Sequence, residues 1–317
     1  MSKKVYLVTA DVYQLLQQWA KESGFILPPQ AFFRDIHTRA LSILKIALGQ
    51  EVTVVSLQAE SLVDGVADII REMENVPVVT MDPLLFNMPA ENRPLFAFQS
   101  TRLSEHRDGQ WHKLDEGPRP YFPPLKEQAA SIAQSIKNHH DTDRVIVVDD
   151  GCYEGDSLKN CVQLLTQAGL QVIGAAVGFH KKKEELLGFT FPFRAFLTYP
   201  EADIKDWICE RDFFPGVPYG GRTIRTNGEV TAPFEIAAHY LHNFGDVEEW
   251  ASIPTNKAIA FSDAMIQLSC RIFDEIQKTN DNRPVLAGDI KRWPMYKGKP
   301  LPRYNDRPFT EHLHQLY

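Results

Sequence analysis

The chain has 317 residues, of which 44% are hydrophobic and 24% charged, and its formal net charge is −7. These are the values of an ordinary globular protein, and the length predicts one core domain with an appendage. The acidic balance excludes nucleic acid as the expected main partner, because binding a phosphate backbone needs a basic surface, and no apolar stretch approaches the roughly 20 residues that cross a membrane.

The first predicted elements are a strand and two helices. Residues 3–9 form an apolar, strand-like run that leads through Ala10 and Asp11 into an amphipathic helix. A second helix is predicted from Pro29 to Leu48, and His37 on it is expected at the surface or at its boundary. The amino terminus lacks the apolar segment and cleavage site of a signal peptide, so the cytoplasm is the expected location.

A strand–helix–strand unit is predicted next. Glu51–Leu57 has the pattern of a strand, Leu62–Met73 that of a helix, and Val76–Met81 that of a second strand. The turn after the first strand contains Gln58, Ala59, Glu60 and Ser61. This turn holds an acid and neither glycine nor arginine.

The region from residue 82 to residue 142 is the least regular. Phe96–Ser104 and Gln110–Leu114 are predicted to pair as a hairpin across Asp108-Gly109, a dipeptide that favours tight hairpin turns. A proline-rich run then precedes a helix at Lys126–Asn138. A long loop with this aromatic content is more often functional than disordered, so we expect it to serve the site.

The rest of the chain is organised around the stretch that follows. Val145–Val148 is an unbroken β-branched run, which favours a strand buried in a parallel sheet. The run ends in two adjacent carboxylates, Asp149 and Asp150. They are expected at the carboxyl end of the strand, facing a helix N-terminus, where ligands collect in open α/β sheets.

A turn and a second strand–helix–strand unit complete this stretch. The turn is predicted at Gly151 and Gly155, the helix at Leu158–Ala168 and the next strand at Val172–Val177. The residues that would cap the helix are Asp156 and Ser157. The predicted fold class is therefore α/β, with a doubly wound, mostly parallel sheet in residues 1–228.

Residues 229–317 are predicted to be a helical extension. Phe234–Phe244 and Ala258–Ile276 show apolar spacing of three and four, and these helices are expected to pack on the core or on a second subunit. His239 and His242 have a spacing compatible with metal ligation, but no acid or cysteine completes a ligand set.

The four cysteines predict reduced thiols, because they are widely spaced and form no C-x-x-C pair. Cys152 lies in the proposed ligand loop. The helix N-terminus would lower its pKa, whereas the neighbouring carboxylates would raise it. A nucleophilic role is therefore not the favoured interpretation.

The central stretch resembles the PRPP-binding loop of type I phosphoribosyltransferases. The resemblance covers Val145–Val148, Asp149, Asp150, Gly155 and Ser157. The order of segments, from the opening Lys-Val-Tyr-Leu-Val-Thr-Ala-Asp onward, is closest to bacterial xanthine-guanine phosphoribosyltransferases. The chain departs from the pattern at Glu154, where the family has threonine, and at Asp156, where it usually has a small residue or lysine.

The resemblance implies roles for particular residues. Asp149 and Asp150 would bind ribose hydroxyls and Mg²⁺, directly or through water. Tyr153 stands where the purine enzymes place an aspartate beside the base, and a phenol keeps its proton at neutral pH and does not act as a general base. Glu154, Gly155, Asp156 and Ser157 would surround the 5-phosphate.

Two further segments would complete the site. The turn at Gln58, Ala59, Glu60 and Ser61 would approach the diphosphate, and Trp207 and Ile208 would form a hood, with the indole stacked on a purine and the Ile208 backbone reading its edge. His180 or Lys181 would meet the exocyclic oxygen of the base. The resemblance implies that the irregular region from residue 82 to residue 142 holds a mobile flap that closes over PRPP. Arginines of this region would supply positive charge that the phosphate loops lack: Arg102, Arg107 and Arg119.

The function implied is that of an enzyme for glycosyl transfer at the anomeric carbon of a ribose, acting on a purine-type nucleobase, nucleoside or nucleotide derivative with Mg²⁺. Two alternatives stay open. One is a nucleoside hydrolase or phosphorolytic glycosidase on the same fold. The other is a protein without catalysis that senses a nucleotide or assists assembly through its carboxyl-terminal helices.

Overall fold

The structure is a computed structural model that describes residues 4–86, 93–181, 188–199, 202–225 and 235–316. The helices are α1 (Val12–Ser23), α2 (Gln30–Leu48), α3 (Ala59–Arg71), α4 (Leu125–His139), α5 (Asp156–Gln167), α6 (Val247–Ala251), α7 (Thr255–Thr279) and α8 (Phe309–His314). The strands are β1 (Lys4–Ala10), β2 (Val52–Gln58), β3 (Val78–Thr80), β4 (Leu95–Ala97), β5 (Ser100–Thr101), β6 (Leu103–Arg107), β7 (Gln110–Lys113), β8 (Gly117–Pro118), β9 (Arg144–Cys152), β10 (Gln171–His180), β11 (Phe193–Thr198), β12 (Ile204–Cys209), β13 (Arg222–Ile224), β14 (Glu235–Ala238), β15 (Arg292–Tyr296) and β16 (Lys299–Pro300). Short 3-10 segments lie at Glu210–Phe213 and Ala287–Asp289.

The chain divides into two compact units. Unit 1 spans Met1–Leu57, Arg102–Asp115 and Asp203–Tyr317, and unit 2 spans Gln58–Thr101 and Glu116–Ala202. This division does not follow the boundary predicted at residue 228, because unit 1 takes chain from both sides of it. The predicted boundary at residue 228 separates a part that is expected to fold by itself from an extension. It stays a prediction.

Unit 2 is built on a doubly wound sheet. Its five strands are parallel and lie in the order β11-β10-β9-β3-β4. Helices cover both faces, since α4 and α5 contribute to one buried cluster and α3 to the other. The predicted α/β class with a doubly wound, mostly parallel sheet is confirmed.

The β-branched run of β9 occupies the centre of this sheet. Val145 and Val147 belong to the cluster beneath α4 and α5, whereas Ile146 and Val148 belong to the cluster beneath α3. All of them are at most 1% exposed. Because both faces of the strand are covered, every position of the run has to be apolar.

Close packing in unit 2 depends on a glycine of β10 where this strand runs beside β9. A Cβ added to Gly178 would lie 2.7 Å from the backbone oxygen of Asp150 and 2.9 Å from the Cβ of Leu62. The missing side chain therefore lets α3 approach the strand that carries the two acids.

Unit 1 joins the beginning of the chain to its end. It contains a three-stranded sheet, β12-β1-β2, and a six-stranded sheet, β16-β15-β14-β13-β6-β7. Trp19 donates its indole N–H to the backbone oxygen of Asp289 at 3.0 Å, and its ring centroid lies 6.2 Å from that of Phe273. Tyr6 donates its hydroxyl to the backbone oxygen of Ala251 at 2.9 Å. These contacts explain why the first strands and helices group with the last ones.

The long helix α7 packs within unit 1 against α2 and α8. Its 25 residues bury one face, which includes Phe261, Met265, Ile272 and Ile276. The expected packing of a carboxyl-terminal helix on the core is thus found. Across the residues with described structure, no helix combines the length and apolar character needed to cross a membrane.

The predicted hairpin turn is confirmed. Strands β6 and β7 pair antiparallel, and Asp108 and Gly109 between them have φ angles of 54° and 77°. Two positive φ angles are what the tight hairpin turn requires, and aspartate and glycine tolerate them. Phe96, which was grouped with this hairpin, lies instead in β4 of the unit 2 sheet.

The predicted pairing of the second and third strands is wrong. The elements β2, α3 and β3 exist, but β2 joins the three-stranded sheet of unit 1 and β3 joins the sheet of unit 2. The apolar periodicity of a segment predicts its local structure and carries no information about which neighbour it pairs with.

The predicted helix at Phe234–Phe244 is also wrong where the structure describes it. Glu235–Ala238 form β14, which pairs with β13 and β15, and turns follow. Strand pairing on both sides satisfies the backbone hydrogen bonds of this segment. Its apolar spacing alone is also compatible with a helix, which is why the sequence predicts one. His239 and His242 consequently do not share a helical face, and burial lowers the pKa of His239 to about 3.

The close approach at Gly178 makes a testable difference between two glycines of β10. Gly178→Ala is expected to destabilise the protein by about 1–3 kcal/mol, because the new methyl group meets backbone. Gly174→Ala is the matched control, since its Cβ would meet the flexible Met73 side chain at 3.3 Å. Urea unfolding of both variants measures the difference, and equal destabilisation would contradict the packing argument.

Candidate functional site

The unit 2 sheet has one point where its winding reverses. From β3 the chain continues to the edge strand β4 on one side, whereas from β9 it continues through β10 to β11 on the other. In sheets of this kind a ligand usually binds at the carboxyl ends of the two strands on either side of the reversal, which here are β3 and β9. Asp149 and Asp150 lie at this end of β9.

The two acids project to opposite faces of the strand. Continuing the alternation of Val145–Val148 puts Asp149 on the α4 and α5 side and Asp150 on the α3 side. Asp150 is buried, with 7% of its surface exposed, and its N–H donates to Oδ1 of Asp149 at 2.9 Å. The two carboxylates thus lie on the two faces of the strand near its carboxyl end.

Asp149 is an electrostatically unfavourable anion. Burial, followed by the charges of Asp150 and Asp82, raises its pKa well above the usual range, and the N–H of Asp150 only partly offsets this. Glu116 adds to the same effect. The charges that raise its pKa are those of acids, so a proton or another cation would relieve that repulsion.

Asp82 is a site residue that the sequence analysis missed. It follows β3, is 3% exposed, and its Oδ1 accepts the N–H groups of Leu84 and Leu85 at 3.1 Å and 3.2 Å. An acid directly after a buried apolar strand is the same signal that identified Asp149 and Asp150. It was overlooked because the residues after it show no helical or strand period.

The loop after the acids is shorter than predicted. Strand β9 continues to Cys152, so Gly151 pairs with Phe179 of β10 instead of forming a turn. Pairing with the long strand β10 keeps the chain in an extended strand conformation as far as Cys152.

Gly155, and not Asp156 or Ser157, takes the cap position of α5. Gly155 has a φ of 89°, and α5 begins at the exposed Asp156. The left-handed glycine turns the chain so that the first N–H groups of the helix face the carboxyl end of the sheet.

The side chain of Glu154 lies at the surface beside a cation. It is 47% exposed and its Oε1 lies 3.2 Å from Nζ of Lys181. The same ammonium group lies 3.8 Å from the ring centroid of Tyr153. Although burial alone would lower the pKa of Lys181, its contacts with Tyr153 and Glu154 raise it overall. Lys181 therefore stays charged and compensates the acid.

Cys152 and His180 are structural in this arrangement. Burial, followed by the charge of Asp149, raises the pKa of Cys152 to about 12, so the thiol is protonated at neutral pH. His180 is fully buried, and its ring packs on Phe193 with 4.9 Å between centroids. Of the two residues considered for the base oxygen, only Lys181 reaches the surface.

The turn expected at the diphosphate is the start of a helix. Gln58 ends β2, and Ala59, Glu60 and Ser61 form the first turn of α3. Ala59 is buried in the cluster that includes Ile146 and Val148, whereas Glu60 and Ser61 are exposed. The structure thus brings the N-terminus of α3 to the face of β9 that carries Asp150, with no intervening loop.

The hood residues belong to unit 1. Trp207 lies in β12 beside β1 and donates its indole N–H to Oγ1 of Thr9 at 2.9 Å, and Ile208 is buried. Arg102 and Arg107 also lie in unit 1, where they pair with acids of the same unit. Arg119 lies in unit 2 and is 9% exposed. The roles of Trp207, Ile208 and the arginines at the site stay predictions.

A Mg²⁺ ion at this site would need oxygen atoms from a bound ligand or water in addition to those of the acids. In the parts of the chain that are described, no group of three or more His, Cys, Asp or Glu residues is arranged to hold a metal ion. The alternation of the strand puts Asp149 and Asp150 on opposite faces, so they are not expected to chelate one ion without further ligands. Mg²⁺ commonly takes one or two carboxylates together with water and substrate phosphate oxygens, and this chain offers that kind of incomplete shell.

Comparisons with known proteins give weak likenesses. No protein-family model and no curated protein matches the chain. A hypothetical protein from Neisseria gonorrhoeae with bound ppGpp is 14% identical, with a TM-score of 0.31 over 47% of this chain and 82% of that one. Adenine phosphoribosyltransferase from Rhodothermus marinus is 15% identical, with a TM-score of 0.27 over 44% of this chain and 77% of that one. TM-scores this low do not establish a family.

The raised pKa of Asp149 predicts how stability depends on pH. The unfolded chain releases this proton near the ordinary pKa of about 3.9, earlier than the folded chain does, so the contribution of Asp149 to stability is full at lower pH and is lost as pH rises through the folded pKa. Asp149→Asn cannot ionise. Its stability relative to the parent should therefore increase between about pH 4 and about pH 8.

Thermal unfolding across this range measures the effect. Asp156→Asn is the control, because it removes one negative charge from an exposed position of the same loop. A melting-temperature difference between Asp149→Asn and the parent that stays constant with pH would show that Asp149 ionises normally.

Proposed function

We propose that the carboxyl end of the unit 2 sheet binds the ribose of a purine-type nucleobase, nucleoside or nucleotide derivative, and that the protein transfers glycosyl groups at the anomeric carbon. The observation that carries the proposal is the pair of adjacent carboxylates at the winding reversal of a parallel sheet. Asp149 and Asp150 reach around the strand end, and the left-handed Gly155 aims the N-terminus of α5 at the same place.

Each part of the site has a chemical task in this proposal. Asp150 accepts hydrogen bonds from the ribose hydroxyls, and the N–H groups at the start of α5 donate to the 5-phosphate. The ring carbon gains positive charge as the glycosidic bond breaks, and fixed carboxylates in a shielded crevice stabilise that charge. Mg²⁺, when bound, would neutralise phosphate oxygens beside Asp149 and Asp150.

The pairing of Glu154 with Lys181 permits phosphate binding. From the sequence alone, Glu154 and Asp156 would repel a phosphate, since two like charges at 4 Å cost on the order of 4 kcal/mol at an effective dielectric of 20. Both side chains are exposed, and Glu154 has a cation beside it. We therefore include phosphorylated riboses among the ligands.

A binding protein without catalysis is the second candidate. The observation that favours it is Tyr153, which occupies the position of the catalytic acid and lies beneath the Lys181 ammonium group. With no carboxylate there, the ligand could bind without proton transfer. Release of base or diphosphate from a bound ligand distinguishes the enzyme from the sensor.

Asp150→Asn tests the proposed ribose contact. The substitution removes a charge at nearly constant volume, so the fold should persist while stabilisation by ligand is lost. Thermal shift with PRPP, ribose 5-phosphate and purine nucleosides, each with and without Mg²⁺, provides the measurement. Asp143→Asn, at the exposed amino end of the same strand segment, should respond as the parent does. Equal stabilisation of all three proteins by every effective ligand would overturn the assignment.

Lys181 provides a separate test of the phosphate position. Lys181→Met leaves Glu154 uncompensated, so ribose 5-phosphate should bind about 3- to 10-fold more weakly, as expected for a partly exposed charge contact. Adding Glu154→Gln should restore most of the loss. Titration calorimetry gives the affinities, with Lys137→Met in the last turn of α4 as the control. If an unphosphorylated nucleoside weakens equally, Lys181 does not act through phosphate.

A further inference from the structure

In unit 1 a serine, a histidine and a glutamate form a chain of side-chain contacts. Ser56 lies on β2, His37 on α2 and Glu210 in the 3-10 segment after β12. Nε2 of His37 lies 2.7 Å from Oγ of Ser56, and Nδ1 lies 3.2 Å from Oε2 of Glu210. The histidine expected at the surface or at its boundary is therefore buried between a hydroxyl and a carboxylate.

The carboxylate determines which nitrogen of the ring accepts a proton. Beside Glu210, Nδ1 is favoured to carry the hydrogen, because a carboxylate only accepts hydrogen bonds. Nε2 is then the acceptor, and the Ser56 hydroxyl donates to it. The contact of Nδ1 with Glu210 is at ion-pair distance and is not a well-aligned hydrogen bond. Such contacts are often loose before substrate binds.

Burial and charge suit this chain of contacts to proton transfer. The side chains of His37 and Glu210 are 10% and 3% exposed, whereas Ser56 is half-buried. The neighbouring cation, Arg211, pairs with Asp11 through Nε at 3.2 Å. The carboxylate of Glu210 lies at ion-pair distance from the imidazole, and it would stabilise the imidazolium formed when His37 takes a proton.

We propose that Ser56 is a nucleophile, with His37 as its general base and Glu210 as the positioning residue, in a site that cleaves esters. In the first step Oγ bonds to the ester carbonyl carbon, its proton passes to Nε2, and the proton then moves to the alcohol that leaves when the carbon–oxygen bond breaks. Water releases the acyl group from Ser56 by the same route in reverse. These residues lie in unit 1, so this site does not depend on the proposed ribose site of unit 2.

Ser56 is half-buried and lies on an edge strand of its sheet. Strand β2 is at the edge of the β12-β1-β2 sheet. An edge strand presents backbone N–H groups that do not pair within its sheet, and such groups can stabilise the oxyanion that forms on the carbonyl oxygen. A serine in the middle strand would lack this feature.

A fluorophosphonate tests the proposal on the full chain without knowledge of the substrate. Oγ would attack phosphorus, fluoride would leave, and the serine proton would pass to His37. We expect one adduct, located on Ser56 by peptide mass spectrometry, and none in Ser56→Ala. His37→Gln should slow labelling by about 100-fold or more, the usual size of a general-base contribution. Because only a neutral imidazole accepts the proton, the rate should rise with pH in the parent and stay flat in His37→Gln.

The controls separate reactivity from structure. Ser42 is an exposed serine on α2, and Ser42→Ala should label as the parent does. Glu210→Gln should slow labelling and change its pH profile while the melting temperature shows a folded protein. A parent in which Ser56 stays unlabelled, or labels at the same rate as His37→Gln, would reduce the three residues to a structural hydrogen-bond chain. If Ser56→Ala or His37→Gln does not fold, the pH dependence of labelling in the parent alone decides the question.

Discussion

The structure of unit 2 depends on covering Val145–Val148 on both faces. These residues put β9 at the centre of a parallel sheet, and the helices needed to cover it supply the N-termini that point at its carboxyl end. The apolar run ends at Val148, but the strand continues through Asp149 and Asp150 to Cys152. The rigid strand therefore fixes the position of both acids.

That position has an electrostatic consequence. Burying a carboxylate costs free energy, and the charges of Asp150, Asp82 and Glu116 add to that cost at Asp149. Unit 1 also buries acids, and there Asp11 pairs with Arg211 and Glu210 with His37.

The sequence predicted elements and turns well, because their signals are local. The β-branched run of β9, the first strand and helix, and the Asp108-Gly109 turn each follow from a few adjacent residues. The sheet that accepts β2 and the strand at Glu235–Ala238 were missed, since both depend on partners distant in the chain. Asp82 shows the same limit, because its importance comes from the neighbouring strand β9. The burial of His37 shows the same limit, because a helical pattern does not reveal that the Glu210 carboxylate lies 3.2 Å from the imidazole ring.

The balance of charge also separates the candidate ligands. A ribose alone offers hydroxyl donors, which satisfy carboxylate oxygens but leave the repulsion among the acids unchanged. A ligand that brings Mg²⁺, or one that becomes cationic at its anomeric carbon, reduces that repulsion and therefore gains more in this crevice than in water. The gain is largest for the cationic transition state, because the ground state carries no charge at that carbon. Under the proposed function, this acid cluster would favour glycosyl transfer over ribose binding alone, provided that another group carries out the proton transfer for which Tyr153 is unsuited.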